Sequence, residues 1–413
     1  MHRHTFRWLL PVLSAVATVA CGPADRADSD WLAAPRPLAT PAAPGSRFPR
    51  LTQSQGHSPV ISWLQPAAGG MSLRYARWNG QGWGPDGVVA QGGDWFVNWA
   101  DFPSVVAVDA SHWGAHWLQQ APGSVYSYVV RIATSADGGR NWSEPIMPHD
   151  DGTPTEHGFV SLLPYDGKLL AVWLDGRHTG GGHDHDHDHG GGEGAMTLRS
   201  AMVSQAGVRL GPDVELDGRT CDCCQTGIAM AGSGPVVVYR DRGEDGTRDI
   251  AVVRLEGGRW SAPAPVSPDG WKIDACPVNG PAVDARGNLV AVAWFTGARG
   301  PQVRLAFSTD GGRRFAAPLD VDSGRVTGRV DVVVLDDGRA VVSWLRAAGG
   351  HEALVARPYV PSGPAGRMVE IASVDGTRAA GFPQVARVDD GLVFAWTEAG
   401  AEPRVRTVVA SLH

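Results

Sequence analysis

Short apolar stretches alternate with tight turns along nearly the whole chain, and one pattern recurs. An apolar stretch is followed by a turn with Gly or Asp, and then by a second apolar stretch that ends in an aromatic residue, as in VSLLPYDGKLLAVW and PAVDARGNLVAVAW. This pattern is typical of β-strands joined by tight turns. The seven copies end at Trp63, Trp117, Trp173, Tyr239, Trp294, Trp344 and Trp396.

The spacing of these aromatics predicts the fold. Successive copies end 50 to 66 residues apart, which leaves room for four short strands in each repeat. A third strand such as IAVVRL follows most of the aromatics, and a further turn and strand follow it. We therefore predict an all-β protein, a seven-bladed β-propeller of four-stranded antiparallel blades, with six blades as the alternative.

Composition agrees with many short strands and limits the partners. The 413 residues include 54 Gly and 30 Pro, which punctuate turns. Only two lysines occur, and the net charge is −7. A basic face is needed for non-specific nucleic-acid binding, so we expect no nucleic-acid partner.

The N-terminus predicts export. A basic start is followed by a short apolar stretch, and the sequence Thr18-Val19-Ala20-Cys21 resembles the lipobox of bacterial lipoproteins. The resemblance implies that residues 1–20 are a signal peptide and that Cys21 carries a lipid. Residues 21–29 then form a tether, and residues 30–413 form one propeller domain. We expect a membrane-anchored protein in the periplasm or at the cell surface.

The last repeat lacks an outer strand. Its final segment, VRTVVASLH, supplies only a third strand, whereas DWLAAPRPL at residues 30–38 is similar to RWSAPAPV, which begins an outer strand at residues 259–266. We predict that the N-terminal segment completes the last blade, so that the ring has no open edge.

Two turns are close matches to a known motif. SADGGRNW and STDGGRRF both contain Ser, Asp, Gly and an aromatic at fixed spacing. They resemble the Asp box, or BNR repeat, of the sialidase-like propeller superfamily. In such a turn Asp and Ser oxygens accept backbone N–H groups and the aromatic packs inward. The motif residues are Ser135, Asp137, Gly139 and Trp142, and Ser308, Asp310, Gly312 and Phe315.

The resemblance also implies which loops share a face. In these propellers the loops that enter first strands and those that join second to third strands open on the same side. This face would collect the cysteine loops RTCDCCQTG and WKIDACPVNG, the loop with Glu156 and His157, and the loop with Asp101.

Four cysteines remain if Cys21 carries a lipid, and they allow several chemistries. They are Cys221, Cys223, Cys224 and Cys276. Export favours two disulfides between them, with the pairing left open. The alternatives are a thiolate site for Cu or Zn, to which His157 could contribute, and a redox-active pair.

A Gly-flanked tract in the third repeat alternates His with Asp. In an extended chain the imidazoles of such a tract would project to one side. Imidazole suits Zn, Cu and Ni, so the tract is either a capture arm for divalent metal or a low-complexity loop. Its histidines are His183, His185, His187 and His189.

Three function hypotheses follow. The first is a ligand-binding propeller, with metal as the favoured ligand. The second is a sialidase-like exo-glycoside hydrolase that acts on glycans, with Asp101 and Glu156 as candidate catalytic carboxylates. The sialidase family has six blades, a Tyr–Glu nucleophile pair and an Asp acid/base, and no tyrosine here stands in a suitable entry loop. The third is a scaffold for a protein partner, with structural disulfides.

Overall fold

Seven antiparallel sheets make up the protein, as blades of a β-propeller. The structure is a computed structural model that describes residues 29–54, 56–180 and 194–413. The predicted seven-bladed fold is confirmed, and the six-bladed alternative is wrong. The predicted lipidation site Cys21 and the tract histidines His183, His185, His187 and His189 lie outside the described residues.

The strands run almost without interruption by other structure. In chain order they are β1 (Arg36–Leu38), β2 (Arg47–Thr52), β3 (Val60–Ala67), β4 (Gly70–Arg77), β5 (Gly87–Gly92), β6 (Ser104–Ala107), β7 (Trp113–Gln120), β8 (Tyr128–Ser135), β9 (His157–Tyr165), β10 (Lys168–Asp175), β11 (Met196–Val203), β12 (Val214–Thr220), β13 (Gly227–Ala231), β14 (Gly234–Arg240), β15 (Ile250–Glu256), β16 (Arg259–Trp260), β17 (Ala264–Ser267), β18 (Ala282–Arg286), β19 (Leu289–Thr296), β20 (Gln302–Ser308), β21 (Leu319–Ser323), β22 (Val326–Val334), β23 (Ala340–Ala347), β24 (Glu352–Val360), β25 (Gly363–Pro364), β26 (Val369–Val374), β27 (Gln384–Val388), β28 (Gly391–Glu398) and β29 (Arg404–Ser411).

Each blade is a meander of consecutive strands. Blades 1 to 6 are built from β2–β5, β6–β8, β9–β12, β13–β17, β18–β21 and β22–β26, and blade 7 contains β27–β29. The part of the chain that the structure describes has one 3₁₀ turn, Arg378–Ala380, which precedes β27. Among the described residues we find no helix that is long and apolar enough to cross a membrane.

The repeat-closing aromatics form much of the core. All seven lie on the second strand of their blade and are at most 8% exposed. Several indole N–H groups reach a carboxylate: Trp173 Nε1 donates to Asp175 Oδ2 of the same blade at 2.8 Å, and Trp344 Nε1 donates to Asp322 Oδ2 of the preceding blade at 2.9 Å. Burial of the ring and satisfaction of its single donor explain why an aromatic ends each repeat.

The outer strand of blade 7 comes from the other end of the chain. β1 pairs with β29, with Arg36 opposite Val409 and Leu38 opposite Thr407. Just before β1, the indole of Trp31 is 1% exposed and donates to the carbonyl of Arg367 in blade 6 at 2.8 Å. The N-terminal segment therefore contacts two blades and covers an edge that would otherwise be open.

Blade 2 departs from the four-strand pattern. Its outer position holds only a short segment in which Ile146 exchanges both backbone hydrogen bonds with Ile132, at 2.8 and 2.9 Å. Pro145 and Pro148 flank this segment and have no N–H to donate, so a longer ladder cannot form.

The two Asp-box-like turns have the same hydrogen bonds. Ser135 Oγ donates to Asp137 Oδ1 at 2.8 Å and accepts the N–H of Gly139 at 2.9 Å. Ser308, Asp310 and Gly312 repeat both bonds at the same distances. Trp142 packs edge-on against Tyr75, and Phe315 packs against the core between blades 4 and 5.

Candidate functional site

The loops that enter the first strands are joined across blades on one face. Gln225 links three of them: its Nε2 donates to the carbonyl of Ala100 at 2.6 Å, and its Oε1 accepts the N–H of Gly280 at 3.0 Å. A Cβ at Gly280 would lie 2.3 Å from the backbone of Gln225, so this approach requires glycine. Asn279 extends the network by accepting the N–H of Arg329 at 2.7 Å.

Three thiols converge on this face. Cys221 Sγ lies 3.6 Å from Cys224 Sγ and 3.9 Å from Cys223 Sγ. Cys221 and Cys224 are buried, Cys223 is half-buried, and the exposed Cys276 contacts Cys223. All four are free thiols, so the predicted pair of disulfides is wrong for this structure. We call Cys221, Cys223 and Cys224 the thiol cluster.

Hydrogen bonds and charge in the thiol cluster favour one thiolate, on Cys224, whereas hydrogen bonding within the cluster raises the pKa of Cys223, and the pKa of Cys221 is raised to about 12. Burial alone would raise the pKa of Cys224, but hydrogen bonds from Cys221 and Cys223 and the nearby Arg240 guanidinium hold it well below its usual value. Hydrogen bonding to Cys223 likewise lowers the pKa of Cys276 against the effect of burial. Thiolates are the form of cysteine that binds metals and attacks disulfides.

A carboxyl–phenol trio lies next to the thiol cluster. The hydroxyl of Tyr128 lies 2.6 Å from Glu156 Oε1 and 3.2 Å from Asp101 Oδ2, and Asp101 Oδ1 accepts the N–H of Phe159 at 2.8 Å. The absence of a side chain at Gly158 permits this packing, because a Cβ there would lie 2.0 Å from Asp101 Oδ2. The two predicted carboxylates are thus brought together by one tyrosine.

Both acids have perturbed ionisation. Burial raises the pKa of Asp101 to about 7 and that of Glu156 to about 8. The negative charges of Asp101, Asp222 and Cys276 add to the effect on Glu156, so this member of the trio also senses the residues around the cysteines. Asp101 is only 3% exposed, whereas Glu156 is half-buried and is the better placed of the two to meet a ligand.

His157 does not join the thiol cluster, although the sequence grouped them. Consecutive residues of an extended chain project to opposite sides, and the imidazole of His157 projects away from Glu156 toward Asp151. There it stacks on His149 with ring centroids 3.9 Å apart. His149, Asp151 and His157 form a second group whose ligand atoms all lie within 4.8 Å of one another. We call them the imidazole cluster.

Sequence reasoning missed Tyr128, His149 and Asp151. Tyr128 begins β8, in the third strand of blade 2, and no local motif connects it to a glutamate 28 residues later. The segment PHDDGTPTEHG did carry a signal, since two histidines and several carboxylates share one loop that enters a first strand. Only Glu156 and His157, in the second half of this segment, were singled out from the sequence.

The central channel is a further cavity, of about 130 Å³, lined by first strands. Two of its charged groups have close partners: Arg387 Nη1 lies 2.7 Å from Asp284 Oδ2, and Asp331 Oδ2 accepts the N–H of Val385 at 2.8 Å. Burial raises the pKa of Asp331 to about 6, and the charge of Arg50 opposes this rise. The channel holds fewer convergent reactive groups than the face with the cysteines and is the weaker candidate.

Comparisons with known proteins identify the fold and nothing finer. No family model and no curated protein matches the sequence. A polysaccharide lyase described as an ulvan lyase has a TM-score of 0.50 and 12% identity, over 92% of this chain and 94% of that chain. The NanB sialidase of Streptococcus pneumoniae has a TM-score of 0.46 and 10% identity, over 92% and 94%. A variant of AofleA from Arthrobotrys oligospora has a TM-score of 0.44 and 13% identity, over 82% and 88%.

Proposed function

We propose that the protein is an exported propeller that binds a soft metal ion, Cu(I) or Zn(II), at the thiol cluster. The observation that carries this proposal is the spacing of the sulfurs. Thiolates bound tetrahedrally about 2.3 Å from one ion lie about 3.8 Å apart. The two sulfur–sulfur distances of 3.6 and 3.9 Å bracket that value without any disulfide.

The surroundings of the thiols suit a metal site. A buried cluster with a low-pKa thiol offers charge to a cation, and soft thiolates select Cu(I) and Zn(II) over harder ions. Cys276 contacts Cys223 and is the candidate for a fourth ligand from the neighbouring blade. Hydrogen bonds of the loops around Gln225 hold the sulfurs in place before the ion arrives, which lowers the cost of ordering them.

Metal titration of the full-length, reduced protein tests the proposal. We expect one tight equivalent of Cu(I), the ion that distinguishes thiolates from the nitrogen and oxygen ligands of the imidazole cluster, measured by competition with a chromophoric chelator. Because Cys224 is the buried thiol with the lowered pKa, Cys224→Ser should weaken this equivalent by about 100-fold or more.

Two controls separate this site from other metal ligands of the chain. Replacing His183, His185, His187 and His189 with alanine should leave the tight equivalent intact, and so should Cys21→Ser. A tight equivalent that survives Cys224→Ser, or that disappears with the tract histidines, would refute the proposal. Formation of a Cys221–Cys224 disulfide with no metal uptake by the reduced protein would favour the redox alternative.

The carboxyl–phenol trio favours a second candidate, hydrolysis of glycans. A tyrosine hydrogen-bonded to a glutamate, with an aspartate beside it, has the residue types that the resemblance to sialidases implies for catalysis. Glu156 could accept the phenolic proton or donate its own. Tyr128 is fully buried and stacked on Phe96, so a substrate would require movement of this strand end.

A panel of fluorogenic glycosides, sialosides included, tests the second candidate. Glu156→Gln should lower hydrolysis by about 100-fold or more, because general acid–base catalysis contributes that much. If Glu156 acts as the acid, activity should fall as the pH rises through about 8, where this carboxyl loses its proton. The control is Asp166→Asn, an exposed carboxylate in the β9–β10 turn. Failure of the unaltered protein to cleave any member of the panel would reject this candidate.

A further inference from the structure

The imidazole cluster is built from one loop and the strand that follows it. His149 Nδ1 lies 2.9 Å from Asp151 Oδ1, and His157 Nε2 lies 3.2 and 3.3 Å from the two oxygens of Asp151. The side chains of His149, Asp151 and His157 are 3%, 7% and 0% exposed. Three groups that commonly ligate metals thus meet in a buried site that is separate from the thiol cluster.

The backbone fixes how His157 presents its ring. His157 Nδ1 lies 3.2 Å from the carbonyls of Tyr128 and Thr155, so this nitrogen carries the proton. The other nitrogen faces Asp151, and Asp175 Oδ1 lies 3.8 Å away. A carbonyl that holds Nδ1–H and leaves Nε2 free is the usual support of a metal-bound histidine.

His149 has a nitrogen without a protein partner. Its Nε2 is buried and forms no hydrogen bond with the described residues. The rings of His149 and His157 stack nearly parallel, 2° apart, which disfavours two protonated imidazoles. At least one ring is therefore neutral. A neutral His149 with its proton on Nε2 presents the lone pair of Nδ1 toward Asp151 Oδ1, and a cation between these two acceptors would stabilise both.

The nearby arginine is already committed. Arg177 contacts Asp175 at 2.7 Å and Asp213 at 3.1 Å, and it approaches Asp151 only to 3.6 Å. Arg199 forms ion pairs with Asp213 at 2.7 Å and Glu215 at 2.5 Å. Asp151 therefore faces two imidazoles and shares the Arg177 guanidinium, at 3.6 Å, with Asp175 and Asp213, so the carboxylates here outnumber the guanidiniums and a further positive charge would be favourable between these groups.

We propose that His149, Asp151 and His157 form a second metal site, for a divalent ion of the Zn²⁺ type, with Asp175 within reach as an additional oxygen. Ligand atoms bound tetrahedrally about 2.0 to 2.1 Å from such an ion lie about 3.3 to 3.4 Å apart. The distances of 3.2 and 3.3 Å from His157 Nε2 to the oxygens of Asp151 are close to that value, and the 2.9 Å between His149 Nδ1 and Asp151 Oδ1 would lengthen slightly around an ion. The imidazole cluster and the thiol cluster share no residue, so each can be removed without altering the ligands of the other.

Co²⁺ is the probe of choice, because nitrogen/oxygen and thiolate sites give different spectra with it. The test protein is the full chain with Cys221, Cys223 and Cys224 changed to Ser and the four tract histidines changed to Ala. We expect one equivalent of Co²⁺ with ligand-field bands and no sulfur charge-transfer band. Asp151→Asn and His149→Gln should each weaken this binding by about 100-fold or more.

A surface pair supplies the matched control. His112 Nδ1 lies 2.8 Å from Asp109 Oδ2 in the β6–β7 turn, with the His112 side chain 31% exposed, and His112→Ala should not change Co²⁺ uptake. A second measurement needs no substitution at the site. When Zn²⁺ is added, the ¹⁵N NMR resonance of one ring nitrogen should shift in each of His149 and His157. No uptake by the test protein, or uptake unchanged by both Asp151→Asn and His149→Gln, would overturn the second site. Because Cys221, Cys223 and Cys224 are all replaced in this protein, the result does not depend on the thiol proposal.

Discussion

Replacing Trp31 with alanine should lower the free energy of unfolding by about 3 to 5 kcal/mol, the usual cost of deleting a large buried aromatic side chain. The indole is 1% exposed and packs against Gly366, where an added Cβ would lie 2.6 Å from the ring. Its N–H donates to Arg367, while its own carbonyl accepts the N–H of His413 at 3.0 Å. The side chain thus joins the closing segment to blade 6, and the backbone joins it to the end of blade 7.

The midpoint of unfolding in denaturant, measured on the full chain, checks this prediction. Trp31→Phe keeps most of the buried area and loses one hydrogen bond, so it should cost only about 1 kcal/mol beyond the small loss of area. Val208→Ala, at a position that is 57% exposed, should stay within about 0.5 kcal/mol of the unaltered protein. If Trp31→Ala unfolds at the same midpoint as Val208→Ala, the N-terminal segment does not contribute to closure as we argue.

The fold could be predicted because its signal is repeated and local. Each hairpin of first and second strands shows alternation, a turn residue and a terminal aromatic, and seven weak signals at a regular spacing reinforce one another. The outer strands were harder to recognise. In blade 2 the repeat suggests an outer strand, but Ile146 alone forms a bridge there. The flanking prolines have no backbone N–H to donate, so an extended segment at this place does not form a longer ladder.

The candidate site could be predicted only in part, because its contacts join distant segments. Spacing indicated that Cys221, Cys223 and Cys224 would be close, since they share one short loop. No spacing rule connects Tyr128 with Glu156, or tells which way His157 turns. Those contacts depend on where β8 and β9 end relative to each other, and that register is set by packing between blades. The prediction of disulfides likewise rested only on the oxidising compartment that export implies. In the structure the thiols are free, and the Cys221 sulfur lies 3.6 Å from that of Cys224 and 3.9 Å from that of Cys223.

Replacing Arg240 with methionine should have a comparable cost and should also disturb the thiol cluster. The guanidinium is 1% exposed, donates to the carbonyls of Arg248, Asn279 and Phe295 at 2.6 to 3.2 Å, and lies over the ring of Trp271. Methionine fills much of the volume but leaves the three carbonyls without this donor, so we expect a loss of about 3 to 5 kcal/mol in the free energy of unfolding. The carbonyls belong to two loops and to the end of β19, so the loss concentrates on the side of the protein that carries the thiol cluster.

The same substitution should raise the pKa of Cys224, because the Arg240 charge is one of the groups that hold it low. Thiolate absorbance followed against pH in the metal-free, reduced protein measures this shift, and the chelator competition should show weaker binding of the soft ion. Arg242→Met is the matched control: Arg242 lies two residues away, is partly exposed and pairs with Asp222 at 3.0 Å, so its loss should cost less than about 1 kcal/mol. A Cys224 titration that is equally unchanged in both variants would mean that Arg240 holds the loops without acting on the thiols. The thiolate would then depend on the hydrogen bonds from Cys221 and Cys223, and Cys221→Ser, which keeps a hydroxyl donor at that position, should leave the titration near its original pH.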